Sequence, residues 1–453
     1  MKLIIAVMYF AFGVLFYSCG KKADHEVYHV DPIVVVNLKK DIEINLSDKD
    51  YHKYITNQLA LAEIYKKSDS LGDWLYCYDR IIKISRDNIS LDTAIFFYKY
   101  VNDKIWRSPD DSASIENLAW IHRQIAFEFG PLSEKWEKCI PYYQQGIDLI
   151  DEGNSWTSDK AIKFLKACGS AFTRLDEPQK AISYLNRSYE ICRINNDTLN
   201  MLKSLNDLGI AYCDVSNYPE AFTTLRNALK INSINSFQEE KIETISHLIT
   251  LFLTEKQADS VVNYLNQFKR IIDSCETEKD DIADYYNKMA ALNVLENDFT
   301  QAEQNYKLSI QYFLQSEESR NREAAKVYIE LGNCFKGTLK FQEALNAFQQ
   351  ALVLSINNYD EKDVSIPLPE HFYYPENIII EASLGKAETY FSKYQIESQP
   401  QDLSLAILFY KDAIRACEVI SDSFELESSK IKFKEKTDPI HEKLNRAIIL
   451  LKP

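Results

Sequence analysis

Large apolar residues recur along most of this chain at intervals of three and four, the spacing that gathers them on one face of a helix. Tyr54, Leu59, Ala62 and Tyr65 form the first stripe, and Trp74, Leu75, Tyr78, Ile81 and Ile82 the second. Ile95, Phe96, Tyr98, Val101 and Ile105 predict a helix over 91–106, and further stripes predict a pair over 112–129 and 133–150. A longer pattern then repeats. Cys168-Gly169-x-x-Phe172 is followed by Ala181, Leu185 and Ser188. Leu208-Gly209-x-x-Tyr212 is followed by Tyr218, Ala221, Leu225 and Ala228, and Leu331-Gly332-x-x-Phe335 by Phe341, Ala344, Phe348 and Ala351. Small residues fall where two antiparallel helices would approach closely, and large ones fill the space between them. Taking Leu248 and Ala290 as equivalents of the glycine gives steps of 40, 39, 42 and 42 residues.

This motif resembles the helix pair of the tetratricopeptide repeat (TPR), with a step longer than the usual 34 residues. The resemblance implies an all-α fold, a TPR-like helix-pair solenoid wound as a right-handed superhelix. The expected organisation is a signal peptide over 1–18, a flexible tether over 19–50 and capping helices over 51–110. TPR-like repeats then occupy 111–356, and a Pro-containing loop with Pro367, Pro369 and Pro375 occupies 357–376. A last TPR-like pair over 377–420 and C-terminal helices over 421–453, broken or kinked near Pro439, complete it. Within the tether, 33–36 reads as a short β-type run.

Only 11 Gly and 12 Pro in 453 residues agree with helices joined by short turns. A formal net charge of −15 excludes a general nucleic-acid binder, which needs a basic footprint. The nine cysteines form no Cys-x-x-Cys, and no His stands at ligand spacing from any of them, so no metal or cofactor is expected.

Lys2 followed by an apolar run over 3–17 has signal-peptide length, and Ser18-Cys19-Gly20 ends it. The arrangement resembles a bacterial lipoprotein signal, although Phe16 and Tyr17 are bulky for it. The resemblance implies acylation (palmitate) of Cys19 and a lipid-anchored place in the cell envelope, at the outer membrane, on its periplasmic or surface side. The membrane would be met through the lipid alone.

In the last third, Leu384-Gly385-Lys386-Ala387-Glu388, Ala406-x-x-x-Tyr410-x-x-Ala413, Ser428-Ser429-Lys430 and Pro439-Ile440-His441-Glu442 stand in order. They resemble the junction between repeats and peptidase in CHAT-domain proteins (caspase-like domains associated with TPRs). In that family the catalytic His and Cys lie further on, so the resemblance covers 110–453 and none of the chemistry. His441 and Cys417 lie in amphipathic stretches with no Gly-rich turn, and read as solvated His and core Cys. No nucleophile elbow, phosphate loop or zinc-protease motif occurs, so no catalysis is expected.

In a TPR array the first helix of each pair lines the concave face. Projecting the register onto that face selects Lys163, Lys166, Arg174 and Lys203 as a basic end, with Asn206 beside Lys203. Ile245, Ile249 and Phe252 follow as an apolar track, then Asn287, Lys326 and Asn333. The expected function is a scaffold holding a protein or peptide partner there, its carboxylate at the basic end. Alternatives are an accessory or sensor half of a caspase-like (CHAT) peptidase system, and a glycan-binding lipoprotein using the aromatics of His371-Phe372-Tyr373-Tyr374.

Overall fold

The computed structural model describes residues 32–132, 135–175, 177–235, 237–274, 277–316, 320–424 and 427–451. The expected signal peptide, Cys19 and Cys275 lie outside these residues. Among the described residues every regular element is helical, and none of the helices is long and apolar enough to cross a membrane. The chain divides into two compact units between Arg174 and Leu175.

The first unit contains α1 (Pro32–Ser47), α2 (Tyr51–Lys67), α3 (Leu71–Asn88), α4 (Leu91–Lys104), α5 (Ser112–Phe127) and α6 (Trp136–Glu152). Its last helix, α7, is a contiguous run of Ser158–Lys160, the π-helical Ala161–Lys166 and Ala167–Arg174. Helix α1 corrects the expectation of a tether with a β-type run over 33–36. Pro32 stands at its first turn, where a missing N–H costs nothing. Val35 and Ile42, two turns apart, then face the core against α2. That core is aromatic: Trp74 and Tyr78 lie with ring centroids 4.7 Å apart, and Trp106 meets Trp74 edge-on at 5.2 Å.

His122 of α5 is buried in the first unit beside Tyr98, whose hydroxyl lies 3.1 Å from its Nδ1. Burial lowers its pKa to about 4 from 6.5. Between those values the unfolded chain binds the proton and the folded one does not, so stability falls as pH drops from 6.5 to 4. His122→Gln is expected to flatten this part of the pH–stability curve, as urea titrations of both proteins would show; curves of equal slope would contradict it.

The second unit is built of helix pairs. They are α9 (Thr198–Asp214) with α10 (Tyr218–Asn235), α11 (Gln238–Thr254) with α12 (Ala258–Ser274), and α13 (Lys279–Leu295) with α14 (Phe299–Leu314). Then follow α15 (Asn321–Gly337) with α16 (Phe341–Ser355) and α17 (Asn377–Glu397) with α18 (Pro400–Ser423). Helix α8 (Pro178–Ile194) precedes them, and α19 (Glu427–Leu451) closes on α18 and runs through Pro439 without the expected break. Each helix packs on the next in sequence. In addition α9 packs on α11, α11 on α13 and α15 on α17, so first helices also pack as a layer over α9–α13 and again over α15–α17. This is the helix-pair solenoid that the repeat predicts.

The glycines explain the tight pairing. A Cβ on Gly209 would come 2.4 Å from Leu225 of α10. The fully buried ring of Phe348 leaves no more room, since Cβ atoms on Gly332 and Gly385 would come within 2.7 and 2.4 Å of it.

The loop between α16 and α17 is strapped down. Gln349 Nε2 donates to Glu361 O at 2.8 Å and to the Tyr359 hydroxyl at 3.2 Å, and Leu368 N donates to Asp412 Oδ2 at 3.1 Å. Arg322 of α15 grips Glu376 at 2.7 Å where the loop enters α17. Lys386 lies under this strap, 1% exposed, with its Nζ 2.8 Å from Gln349 Oε1 and 4.0 Å from the centre of the Phe409 ring.

Candidate partner-binding face

Four first helices end in the same turn, and that turn sets the register of the whole layer. Ser216, Lys256, Asn297 and Leu339 have left-handed backbones, with φ between 57° and 63°. The next N–H in each turn reaches back to a carbonyl five residues earlier: Asn217 to Tyr212, Gln257 to Phe252, Asp298 to Asn293 and Lys340 to Phe335, all at 2.8–2.9 Å. This is the Schellman closure of a helix C-terminus. Counting back seven residues from each left-handed position reaches Gly209, Ile249, Ala290 and Gly332. The glycine equivalent in α11 is therefore Ile249 and not Leu248.

A slip of one residue turns a helix face by about 100°, and it accounts for the apolar track. Ile245 and Ile249 are fully buried and Phe252 is 8% exposed, stacked on Tyr264 at 5.6 Å. They are core, and the expectation that they meet a partner is corrected. The positions of α11 that belong to the face are Glu243, Ser246 and Thr250, all polar and none buried.

These polar residues bridge one first helix to the next. Asn206 of α9 donates to Glu243 Oε2 at 2.8 Å and accepts from the Thr244 hydroxyl at 2.7 Å. Ser246 donates to Asp284 of α13 at 2.6 Å, and Lys288 Nζ reaches the Thr250 hydroxyl at 2.7 Å. Asn206 is thus a wholly buried tie between helices and not a contact residue, which corrects its assignment. Lys203 lies 3.8 Å from the buried carboxylate of Glu240. Asn287 is half-buried in α13, Lys326 is exposed near Glu323 at 4.0 Å, and Asn333 is exposed.

The other members of the expected basic end belong to the first unit. Lys163 pairs with Asp159 at 3.0 Å and lies 5.2 Å from the centre of the Trp120 ring. Arg174 lies 5.7 Å from the Trp136 ring, and Lys166 is half-buried in the π-helical piece of α7. Lys163 and Lys203 each spend their charge on a carboxylate of their own unit.

Positive charge gathers instead at the C-terminal end of the second unit, in a cleft of about 330 Å³ between α15, α17, α18 and α19. Glu388 of α17 stands in it, bonded by Lys336 of α15 and by Lys443 of α19, the latter at 2.6 Å. Burial opposes the charge of Glu388, but the two lysine hydrogen bonds outweigh it and hold the carboxyl below its ordinary pKa. Arg446 lies 5.8 Å from the centre of the Phe391 ring, and no carboxylate pairs with it among the described residues. Asn333 and Tyr410 complete the wall. Residue spacing alone did not point here, because Lys336 and Arg446 are four helices apart.

Two other expected features are absorbed by packing. In the loop, Phe372 meets Tyr359 edge-on at 5.1 Å and the Tyr374 hydroxyl donates to Ser355 O at 2.5 Å. These aromatics are half-buried against the core and form no open platform for a sugar ring. Cys417 is 4% exposed, and burial pushes its thiol up to about 12, so it stays protonated as the sequence reading expects of a core Cys.

Fold and face together define a helix-pair repeat protein of the TPR-like class. No family model and no curated protein matches the chain. Among solved structures, it is similar to the Rap conjugation gene regulator of plasmid pLS20 in complex with the Phr* peptide. The identity is 15%, the match covers 87% of this chain and 99% of that one, and the TM-score is 0.49. It is also similar to the apo quorum sensor NprR from B. thuringiensis, at 15% identity over 71% and 98% of the two chains with a TM-score of 0.44. A tetratricopeptide repeat protein from Parabacteroides merdae matches at 12% identity over 65% and 98%, with a TM-score of 0.42. These likenesses assign no role to any residue of this chain.

Proposed function

We propose that this chain is a scaffold that holds a protein or peptide partner along the first-helix layer of its second unit and performs no chemistry itself. The observation that carries the reading is the row of polar positions from Lys203 through Ser246, Thr250 and Asn287 to Asn333. It is tied by hydrogen bonds from α9 to α11 and from α11 to α13, and at Asn333 it reaches a cleft of opposite charge to the chain as a whole. A face held in advance loses little freedom on binding, which favours recognition of an extended segment. Acylation of Cys19 would hold the scaffold at the outer membrane, on the sequence evidence of Ser18-Cys19-Gly20. The likeness of 384–388 and 439–442 to the CHAT junction favours a caspase-like peptidase system as the setting of that partner.

The test is partner capture from native cells by two variants. Ser246→Arg with Thr250→Arg crowds the row and leaves the core untouched, whereas Arg226→Glu with Lys269→Glu alters exposed positions of second helices. The first variant is expected to lose at least about 90% of the captured partner, a change of about 1.4 kcal/mol or more in binding, and the second to keep it. Undiminished capture by the first variant would contradict the reading.

A further inference from the structure

We propose that the cleft between α15, α17 and α19 is a binding site for a dianionic phosphate monoester, with Arg446, Lys443 and Lys336 as its ligands and Glu388 as an internal competitor. Three side chains with positive charge meet one carboxylate there, in a chain whose net charge is −15. The local balance is an excess of two positive charges. A carboxylate would neutralise one of them and a phosphate monoester both. Lys336 and Glu388 are part-buried, their side chains 21% and 27% exposed, while Lys443 and Arg446 stand exposed at the mouth of the cleft. The interaction of Lys336 with an anion is therefore weakened less by solvent and salt than that of a free surface charge, and Lys443 and Arg446 add charge from the rim.

The geometry distributes the roles. Arg446 has no carboxylate among the described residues, and the Phe391 ring lies within cation–π range of its guanidinium. An oriented guanidinium can present two parallel N–H donors to phosphate oxygens. Lys336 and Lys443 both bond Glu388, so the carboxylate occupies the place that a ligand oxyanion would take between them. Binding would transfer one or both lysines from Glu388 to the ligand, with no bond made or broken. The Tyr410 and Phe391 rings line the same cleft and offer apolar surface to the group that carries the phosphate. The charge and hydrogen-bonding capacity fit a phosphorylated side chain of a partner and a small phosphate ester equally, and the experiment separates these sources.

This inference goes beyond the partner-holding reading and stands without it, because its probe is inorganic phosphate and its readout is binding to the chain alone. Isothermal titration of the full-length protein at low ionic strength is expected to show one saturable phosphate site. Arg446→Gln should weaken it about tenfold, the loss of one charge-assisted contact of about 1.4 kcal/mol. Glu388→Gln should tighten it several-fold, since the competing carboxylate is gone. That gain is not expected of a residue that merely supports the fold, and the thermal midpoint without phosphate checks that both variants are folded. A phosphoserine peptide binding more tightly than glucose 6-phosphate would identify a protein partner as the source, and the reverse order a small ester. Phosphate binding that is absent in the wild type, unchanged in Arg446→Gln, or matched by acetate would overturn the proposal.

Discussion

Phe348→Ala is expected to destabilise the second unit by about 3–5 kcal/mol, the range for emptying a fully packed aromatic site. The ring has no exposed surface. It lies between two first helices at the points where each carries a glycine, Gly332 of its own pair and Gly385 of the next. Truncation therefore opens a void that α15, α16 and α17 all line, and three packed helices cannot easily collapse into it. Urea unfolding followed by a probe in α16 or α17 would measure the loss. The glycines make the claim sharper. Gly385→Ala alone places a Cβ 2.4 Å from two ring carbons and should cost about 1–3 kcal/mol by overpacking. In the Phe348→Ala background the same methyl enters empty space, so its cost should nearly vanish. A double-mutant cycle with additive effects would show that ring and glycine do not meet.

The second large effect is on pH dependence. Burial lowers the pKa of Lys386 from 10.5 to about 7, and the carboxylates of Asp412, Asp363 and Glu361 only partly offset it. Asp412, itself buried, has its pKa raised by that burial. The groups facing Lys386 are Gln349 of α16, Phe409 and Asp412 of α18, and Glu361 and Asp363 of the strap. Between pH 7 and 10.5 the unfolded chain carries a proton on Lys386 that the folded chain has released. Raising the pH through this window therefore favours the folded state, at up to about 1.4 kcal/mol per unit. From pH 7 to 9.5 the wild type should gain about 3 kcal/mol relative to Lys386→Met, a substitution that keeps the length of the stem beside Phe409. Parallel pH–stability curves for the two proteins would show that Lys386 remains charged in the fold.

The pairing of helices was readable because close approach demands small residues at a fixed offset from large ones, as Gly209 with Leu225 and Gly332 with Phe348 show. The long loop was readable from Pro367, Pro369 and Pro375. Helix α1 was not, because β-branched Ile33, Val34, Val35 and Val36 favour strand locally, and packing of Val35 and Ile42 on α2 decides otherwise. The face went astray at one helix. Where α11 has no glycine to mark the close approach, Leu248 and Ile249 are equally plausible, and the choice rotates every projected residue. The second helix carried the missing signal: Ala221, Ala302 and Ala344 each stand twelve residues after their marker, and Val261 stands twelve after Ile249. The basic cleft depended on α19 packing on α18 so that Lys443 and Arg446 reach Glu388 and Phe391 of α17, which no local pattern records. Lys386 reads locally as an ordinary helix lysine, and only the strap over it makes it a buried one.

The central claim is that partners are held on the first-helix layer of the second unit, and site-specific photo-crosslinking in native cells tests it most directly. A photoreactive residue at Thr250 or Asn333, both exposed on that layer, should form discrete crosslinks to a partner. The same group at Arg226 or Lys269, exposed on second helices, should form none to it. Crosslinks to one partner from Arg226 and Lys269, with none from Thr250 and Asn333, would contradict the account.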